Sequence, residues 1–212
     1  MRKKIGIGCI AVGMICLLIA VAFVVYNRYE AARGEKMSQT LLQNLQTNLH
    51  EAKQSERIPE EAPLDSISRD DAREMMTTQV GNYDSIGILS IPVLELELPV
   101  LTEWNYEKLK NAPCHYYGSY YQPDFVIAAH NYPSHFGRLS QLQAGDLVFF
   151  TDVTGSVHCY EVVLLETLSP NATEAMITSG FDLSLYTCTP GGGSRVTVRC
   201  NAVKDRELFI EK

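Results

Sequence analysis

The sequence predicts a mostly β domain, a closed barrel or a sandwich, carried behind an N-terminal transmembrane helix and a partly helical stalk. Three observations lead there. An unbroken apolar run fills residues 5–26, and a polar stretch follows to about residue 82. From residue 83 onward, short apolar or alternating segments recur between turns containing Gly and Pro. That last pattern belongs to a sheet that closes on itself or doubles over.

At about 1.5 Å per helical residue, the 5–26 run can cross a hydrocarbon core of about 30 Å. Gly6, Gly8 and Gly13 weaken a helix in water but are tolerated in membrane helices. A cleaved signal peptide is the rival reading. Its apolar region is usually only about 7–15 residues and ends in a small-residue site, which Val24, Val25 and Tyr26 do not resemble. The run is read as a retained anchor. Arg2, Lys3 and Lys4 favour a cytoplasmic N-terminus at residues 1–4 and a domain outside the cell, against the opposing Arg28, Arg33 and Lys36. The formal charge is −7 and no basic stripe exists, so nucleic acid is not an expected partner.

Residues 27–82 read as an extracellular stalk that holds the domain away from the bilayer. Leu42, Leu45 and Leu49 recur at helical spacing, so a helix docked on the domain is the alternative. Pro59 and Pro63 break any helix, and residues 70–78 can form another short one.

The domain itself is expected over residues 83–212, about 130 residues, enough for one real core. Ile86, Ile88 and Leu89 lead into Ser90-Ile91-Pro92. Leu94, Leu96 and Leu98 then alternate with Glu95 and Glu97, a strand with one buried face. Residues 103–110 read as one short helix. Residues 124–130 are nearly all apolar, a strand buried on both sides. Residues 147–151 and 157–165 form a hairpin-like pair turning at Thr154-Gly155. Residues 183–188 and 195–203 are the last two strands, joined by Thr189-Pro190-Gly191-Gly192-Gly193-Ser194.

Six cysteines are present. Cys9 and Cys16 fall in the apolar run as filler. No CxxC pair and no Cys/His zinc spacing occurs, so neither a metal site nor a cofactor is predicted. For Cys114, Cys159 and Cys200, a disulfide and buried free thiols both stand.

Cys188 has a different context. It ends a strand immediately before a glycine-rich loop that leaves room beside the thiol. Arg195 opens the next strand, and a hairpin would bring its guanidinium near the sulfur, where it can favour thiolate or hold an oxyanion. Arg199 shares that face two pairs further along. His130 closes the apolar strand 124–130, at a strand-to-loop switch where an acid/base role is plausible. His135 is the competing imidazole. His50, His115 and His158 read as surface residues. Tyr116, Tyr117, Tyr120 and Tyr121 either line a peptide groove or pack under a loop, and Trp104 has no assigned role.

Four stretches together resemble the sortases of Gram-positive bacteria. Ile86 to Pro92 through Leu98-Pro99-Val100 is similar to the family's first two strands. Phe125 to Asn131 resembles the strand bearing the catalytic histidine. Leu183-Ser184-Leu185-Tyr186-Thr187-Cys188 is similar to the "TLxTC" signature, with Ser184 in place of the first Thr. Ser194-Arg195-Val196-Thr197-Val198 resembles the arginine strand. No aspartate-aromatic lid motif precedes Tyr83, and the segment 168–182 is short, so the subclass stays open.

The resemblance implies a closed sortase-type β-barrel with a few short helices. It also implies a cysteine transpeptidase with Cys188 as nucleophile, His130 as acid/base and Arg195 holding substrate or oxyanion. Beside them, Asn131, Tyr186 and Thr187 are candidate substrate contacts. The implied partners are secreted proteins with a C-terminal signal like Leu-Pro-x-Thr-Gly, and an amine acceptor from a cell-wall (peptidoglycan) precursor or a pilin lysine. The implied location is the cell membrane, single-pass, with the catalytic domain outside. Two other readings fit the same residues: a secreted cysteine hydrolase or protease, and a non-catalytic, membrane-tethered wall-binding module.

Overall fold

The computed structural model describes residues 2–55 and 74–203. Pro59, Pro63, the start of the helix expected at 70–78, and residues 204–212 lie outside the described residues. Residues 74–77 are irregular and lead into a strand, not a helix.

Helix α1 (Arg2–Ser55) is continuous. It contains the one stretch among the described residues that is long and apolar enough to cross a membrane. Apolar side chains from Ile10 to Tyr26 are exposed all round. Further along, the helix changes character. Ser38, Leu41 and Leu45 are buried, and Met37, Leu42 and Leu49 are partly so. Their spacing makes one apolar stripe, and the stripe lies on the barrel. Of the two readings of this segment, the docked helix is the arrangement found for residues 37–49. A stripe of leucines left in water would forfeit about 25 cal/mol per Å² that burial recovers.

Among the described residues nine strands follow: β1 (Thr78–Val80), β2 (Tyr83–Ile91), β3 (Leu96–Leu101), β4 (Cys114–Tyr117), β5 (Phe125–Ala128), β6 (Leu147–Asp152), β7 (Val157–Leu168), β8 (Leu183–Cys188) and β9 (Arg195–Ala202). Their order is β1-β2-β3-β4-β5-β8-β9-β7-β6, and β6 also pairs with β2. Eight strands therefore close into a barrel, with β1 added outside the seam. Of the barrel and the sandwich, the barrel is found. Where β2 shifts register against β3 it also pairs with β6 at the seam, and there Gly87 has φ +153. A Cβ there would run into the Phe150 ring and the Asp152 backbone, so glycine lets the two ends meet.

The barrel interior holds Leu89, Ile91, Phe125, Ile127, Phe150, Leu185 and Val198. A second apolar layer lies on the outer face. There Leu41 and Leu45 of α1, which packs on β1, β2 and β3, join a cluster with Ile88, Leu101, Val126, Ala128, Met176 and Tyr186. Strands β5 and β8 are thus buried on both sides, which is why their sequences are almost unbroken apolar runs. Two short helices complete the layer. Helix α2 (Tyr106–Leu109) is one turn, shorter than expected because Asn105 caps it, accepting from Lys108 N at 2.8 Å. Helix α3 (Thr173–Ile177) crosses the 168–182 segment.

Cys114, Cys159, Cys188 and Cys200 are free thiols, so no disulfide joins the expected set. Burial pushes Cys114 and Cys200 up to about 12, as inert packing groups.

Leu45→Ala tests the docking. It should cost about 3 kcal/mol, the scale of a buried leucine truncation. Urea unfolding of the full chain in detergent checks this; a stalk standing clear of the domain would show no change.

Candidate active site

Three segments meet at one end of the outer face. Strand β8 runs parallel to β5, with Ala128 beside Tyr186, and antiparallel to β9, with Cys188 opposite Arg195. The parallel ladder continues past β5, because Ala129 N donates to Tyr186 O at 3.1 Å. His130 is the next residue, where the chain leaves the ladder and its carbonyl accepts from Phe136 N at 3.2 Å. Strand neighbours in register present side chains on the same face. The register sets Cys188 and Arg195 opposite one another on β8 and β9, and His130 follows directly on the end of the neighbouring β5.

Thr187 points the other way. It is buried, and its Oγ1 donates to Ala129 O at 2.9 Å. It fastens β8 to the end of β5 and presents nothing to solvent.

After Cys188 the chain turns through a loop held by Thr189. Thr189 N donates to Ser194 O (3.0 Å), and Ser194 N donates to Thr189 Oγ1 (3.0 Å). Gly191 and Gly192 have φ +83 and +75, with open space where a Cβ would stand. Glycine is needed there for conformation, not for room. Arg195 Nη1 donates to Gly192 O and to Ser194 O, both at 3.1 Å. Its guanidinium is held by its own loop, beside the thiol strand.

His130 is half-buried. Burial lowers its pKa, Asn131 opposes that, and Lys110 adds to the lowering. The backbone N–H of Asn131 donates to Nδ1 at 3.0 Å, and Asn131 Oδ1 stands 3.0 Å from the same nitrogen. The neutral ring accepts from the backbone; the imidazolium can instead donate to Oδ1. Nδ1 is occupied in either state, which leaves Nε2 for proton exchange. Asn131 is thus engaged with the imidazole. The Tyr132 ring stacks on His130, with centroids 4.1 Å apart and planes 7° apart.

A groove of about 200 Å³ opens beside Arg195, lined by Trp104, Tyr106, Tyr116, Thr173, Met176 and Tyr186. Tyr186 is its floor, and Tyr116 meets it edge-on at 5.3 Å, with Trp104 edge-on to Tyr116 at 5.8 Å. The tyrosine cluster therefore divides. Tyr116 faces this groove, and Tyr120 packs in the barrel core. Tyr121 borders a separate cavity of about 990 Å³ beside Phe149 and His158, which shares no residue with the groove. Cys188, His130 and Arg195 are all absent from the walls of that cavity, and of the three Arg195 alone borders the groove.

Arg199 does not compete with Arg195. It is buried, and its donors reach Glu166 Oε1 (2.7 Å), Ser184 Oγ (2.8 Å), Ala175 O (2.7 Å) and Met176 O (3.3 Å). It ties α3 to the sheet and so supports one wall of the groove. His115 bridges Thr102 O and Gly118 O, and His158 pairs with Asp152 at 3.2 Å. Both are structural rather than free surface groups. Trp104 and Tyr132 were not expected at the site. Tyr132 could have been suspected from its place two residues after His130; Trp104 carried no local signal.

His135 is fully buried, and its pKa is lowered to about 4, by burial first and by the neighbouring His130 second. An unfolded chain takes up that proton near about 6.5, while the folded chain refuses it down to about 4. Its contribution is complete above about pH 6.5 and is lost as pH falls towards 4, by about 3 kcal/mol in all. His135→Phe should flatten that part of the unfolding midpoint against pH.

Comparisons with known proteins point to one family. A family model described as the sortase domain matches residues 89–203. The chain is 29% identical over 167 residues to sortase D of Bacillus subtilis (strain 168), covering 74% of this chain and 80% of that protein. It is similar to the solved structure of sortase C1 from Streptococcus agalactiae, at 26% identity and a TM-score of 0.51, covering 57% of this chain and 68% of that one. Sortase C of Streptococcus pneumoniae shares the fold, at 22% identity and a TM-score of 0.53, covering 76% and 89%. A closed barrel of this strand order and a sortase-domain match over more than half of the residues together mean that this chain belongs to the sortase family.

Proposed function

We propose that this sortase works as a membrane-anchored transpeptidase through Cys188, His130 and Arg195. One observation supports the reading: β8, which ends in Cys188, lies between β9, whose Arg195 pairs with Cys188, and β5, which leads into His130. The Cys188 thiolate attacks the carbonyl carbon before the scissile bond of a sorting signal like Leu-Pro-x-Thr-Gly. The tetrahedral oxyanion collapses to a thioester, and the C–N bond breaks. The departing amine takes its proton from His130 Nε2. A second amine then attacks the thioester and gives a proton to His130, and the thiolate leaves. Two easier steps replace one hard one.

Arg195 donates to the developing oxyanion or to the substrate backbone. Its guanidinium is always charged and already ordered, so little reorganisation accompanies the reaction. The aromatic floor at Tyr186 and the walls at Trp104 and Tyr116 suit the apolar part of a peptide. The acceptor is the amine of a cell-wall precursor or a pilin lysine. Helix α1 holds the enzyme at the membrane, with the barrel outside, where exported chains and lipid-linked precursors are concentrated.

Purified full-length chain with a sorting-signal peptide tests this. Cys188→Ala should abolish the thioester, seen by mass spectrometry, and His130→Ala should do nearly the same. Arg195→Ala should lose at least about 100-fold in rate, the scale of one oxyanion donor. Adding a glycine or lysine amine should replace the hydrolysed product by the amide. Product unchanged by the amine would mean a hydrolase instead.

A further inference from the structure

Helix α1 reaches the loop that carries His130. At Gly34, a buried position, a Cβ would fall 3.1 and 3.2 Å from Cε2 and Cδ2 of Tyr132, and would collide with the carbonyl oxygen of Lys110. The backbone at Gly34 is ordinary helix, so glycine is not needed for its conformation. A glycine inside a helix costs about 1 kcal/mol relative to alanine. What it permits is a helix backbone lying directly on the tyrosine ring.

The loop beneath is rigid. His135 N and Gly137 N both donate to Tyr132 O at 2.9 Å, and Phe136 N donates to His130 O at 3.2 Å. The His135 side chain is sealed under it, 5.5 Å from the Tyr132 ring. The Gly34 carbonyl lies close enough to favour a proton on His135, yet the approach falls short of a proper hydrogen bond. Helix backbone, phenol ring and imidazole thus form a continuous series of contacts.

We propose that α1 is part of the catalytic centre: its close approach at Gly34 holds the Tyr132 ring flat against His130, making Tyr132 a positioning residue for the imidazole. The proposal rests on the reading of His130 as the proton-transfer group. The stack fixes the ring plane and shields one face from water. An anchoring helix that docks this way sets the geometry of the reacting group as well as its distance from the bilayer.

Lys110 beside α2 and His135 on the same loop act on or with His130, and Tyr26, Glu30 and Arg33 of α1 face Tyr132 across a pocket shared with Glu107 and Lys110; Cys188 lies on β8, the strand next to β5, and Arg195 on β9 beyond it. Burial is the leading cause of the lowered His130 pKa. Removing the ring that covers it should therefore raise that pKa towards the ordinary value of about 6.5.

The experiment uses the full chain in lipid nanodiscs. It measures kcat and KM for peptide cleavage against pH, and titrates the histidine ring signals by NMR, with His130 assigned from His130→Gln. Tyr132→Leu should lower kcat at least about tenfold, since small misplacements of a reacting group are costly. KM should stay within about twofold, and the His130 titration should move up; these are the signs of lost positioning rather than lost binding. Tyr132→Phe keeps the ring and should behave as wild type. Gly34→Ala should move kcat and the titration in the same direction as Tyr132→Leu. Exposed Glu35→Ala, one residue along, should change neither. In the double variant, Gly34→Ala should add little to Tyr132→Leu, because both act on one contact. A Gly34→Ala chain whose kcat and His130 titration match wild type would overturn the role of the helix. A Tyr132→Leu chain that matches wild type would overturn the whole inference. The NMR titration reports on the stack even if no cleavage occurs. Full activity in His130→Ala would instead sink the parent reading while the stack itself is still measured.

Discussion

Strand β8 is hydrogen-bonded along both edges, parallel to β5 and antiparallel to β9, and the position of Cys188 follows from that double pairing. A slip of one residue against either neighbour would turn the strand over and send the thiol to the barrel interior. Several features hold the register. Leu185 sits between Ile127 and Val198 in the core, and all three are fully buried. Thr187 adds a side-chain bond to Ala129 at the end where β5 stops. The alternation that keeps Leu183, Leu185 and Thr187 inside leaves Ser184, Tyr186 and Cys188 outside. Core packing and site geometry are thus two faces of one constraint.

The outer face has its own requirements. A barrel whose strands are apolar on both sides must cover the second side, and this chain does so with α1, α2 and α3. Arg199 is the polar pin of that layer. Its buried charge is tolerable because Glu166, Ser184 and two carbonyls of α3 take up its donors. Where the cover ends, Tyr186 is left at the floor of a groove with Arg195 and Trp104 around it. The groove exists because the covering helices stop short of the strand ends.

Two histidines on one loop show how burial divides roles. His135 is sealed and stays neutral over the physiological range. His130 is only half-buried, and Asn131 supports its charged form against burial and Lys110. Burial disfavours charge at both rings; only His130 combines partial access with a partner for its proton. That combination suits proton exchange, whereas His135 suits packing.

The β strands, the apolar run and the Cys188, His130 and Arg195 candidates were legible in the sequence because each has a local signature. Period-two alternation marks half-buried strands, continuous apolar runs mark doubly buried ones, and Gly-Pro-rich segments mark turns. Other features had none. The choice of barrel over sandwich rests on β6 returning to β2, a pairing between segments some sixty residues apart that no local pattern encodes. The leucine stripe of α1 declared that the helix had a buried side without naming the surface it would meet. Arg199 shares the face of Arg195 along the strand, and only packing made it a structural pin. Asn131 and Thr187 read as candidate substrate contacts; in the fold the Asn131 amide oxygen stands beside His130 Nδ1 and the Thr187 hydroxyl bonds Ala129 O, neither of which the sequence announces. The sequence alone determined which residues lie on each face of each strand, because side-chain alternation is a local property of the backbone. Which strands become neighbours, and so which side chains share a hollow, was decided by the tertiary structure, because burial energy depends on total enclosed surface and not on proximity along the chain.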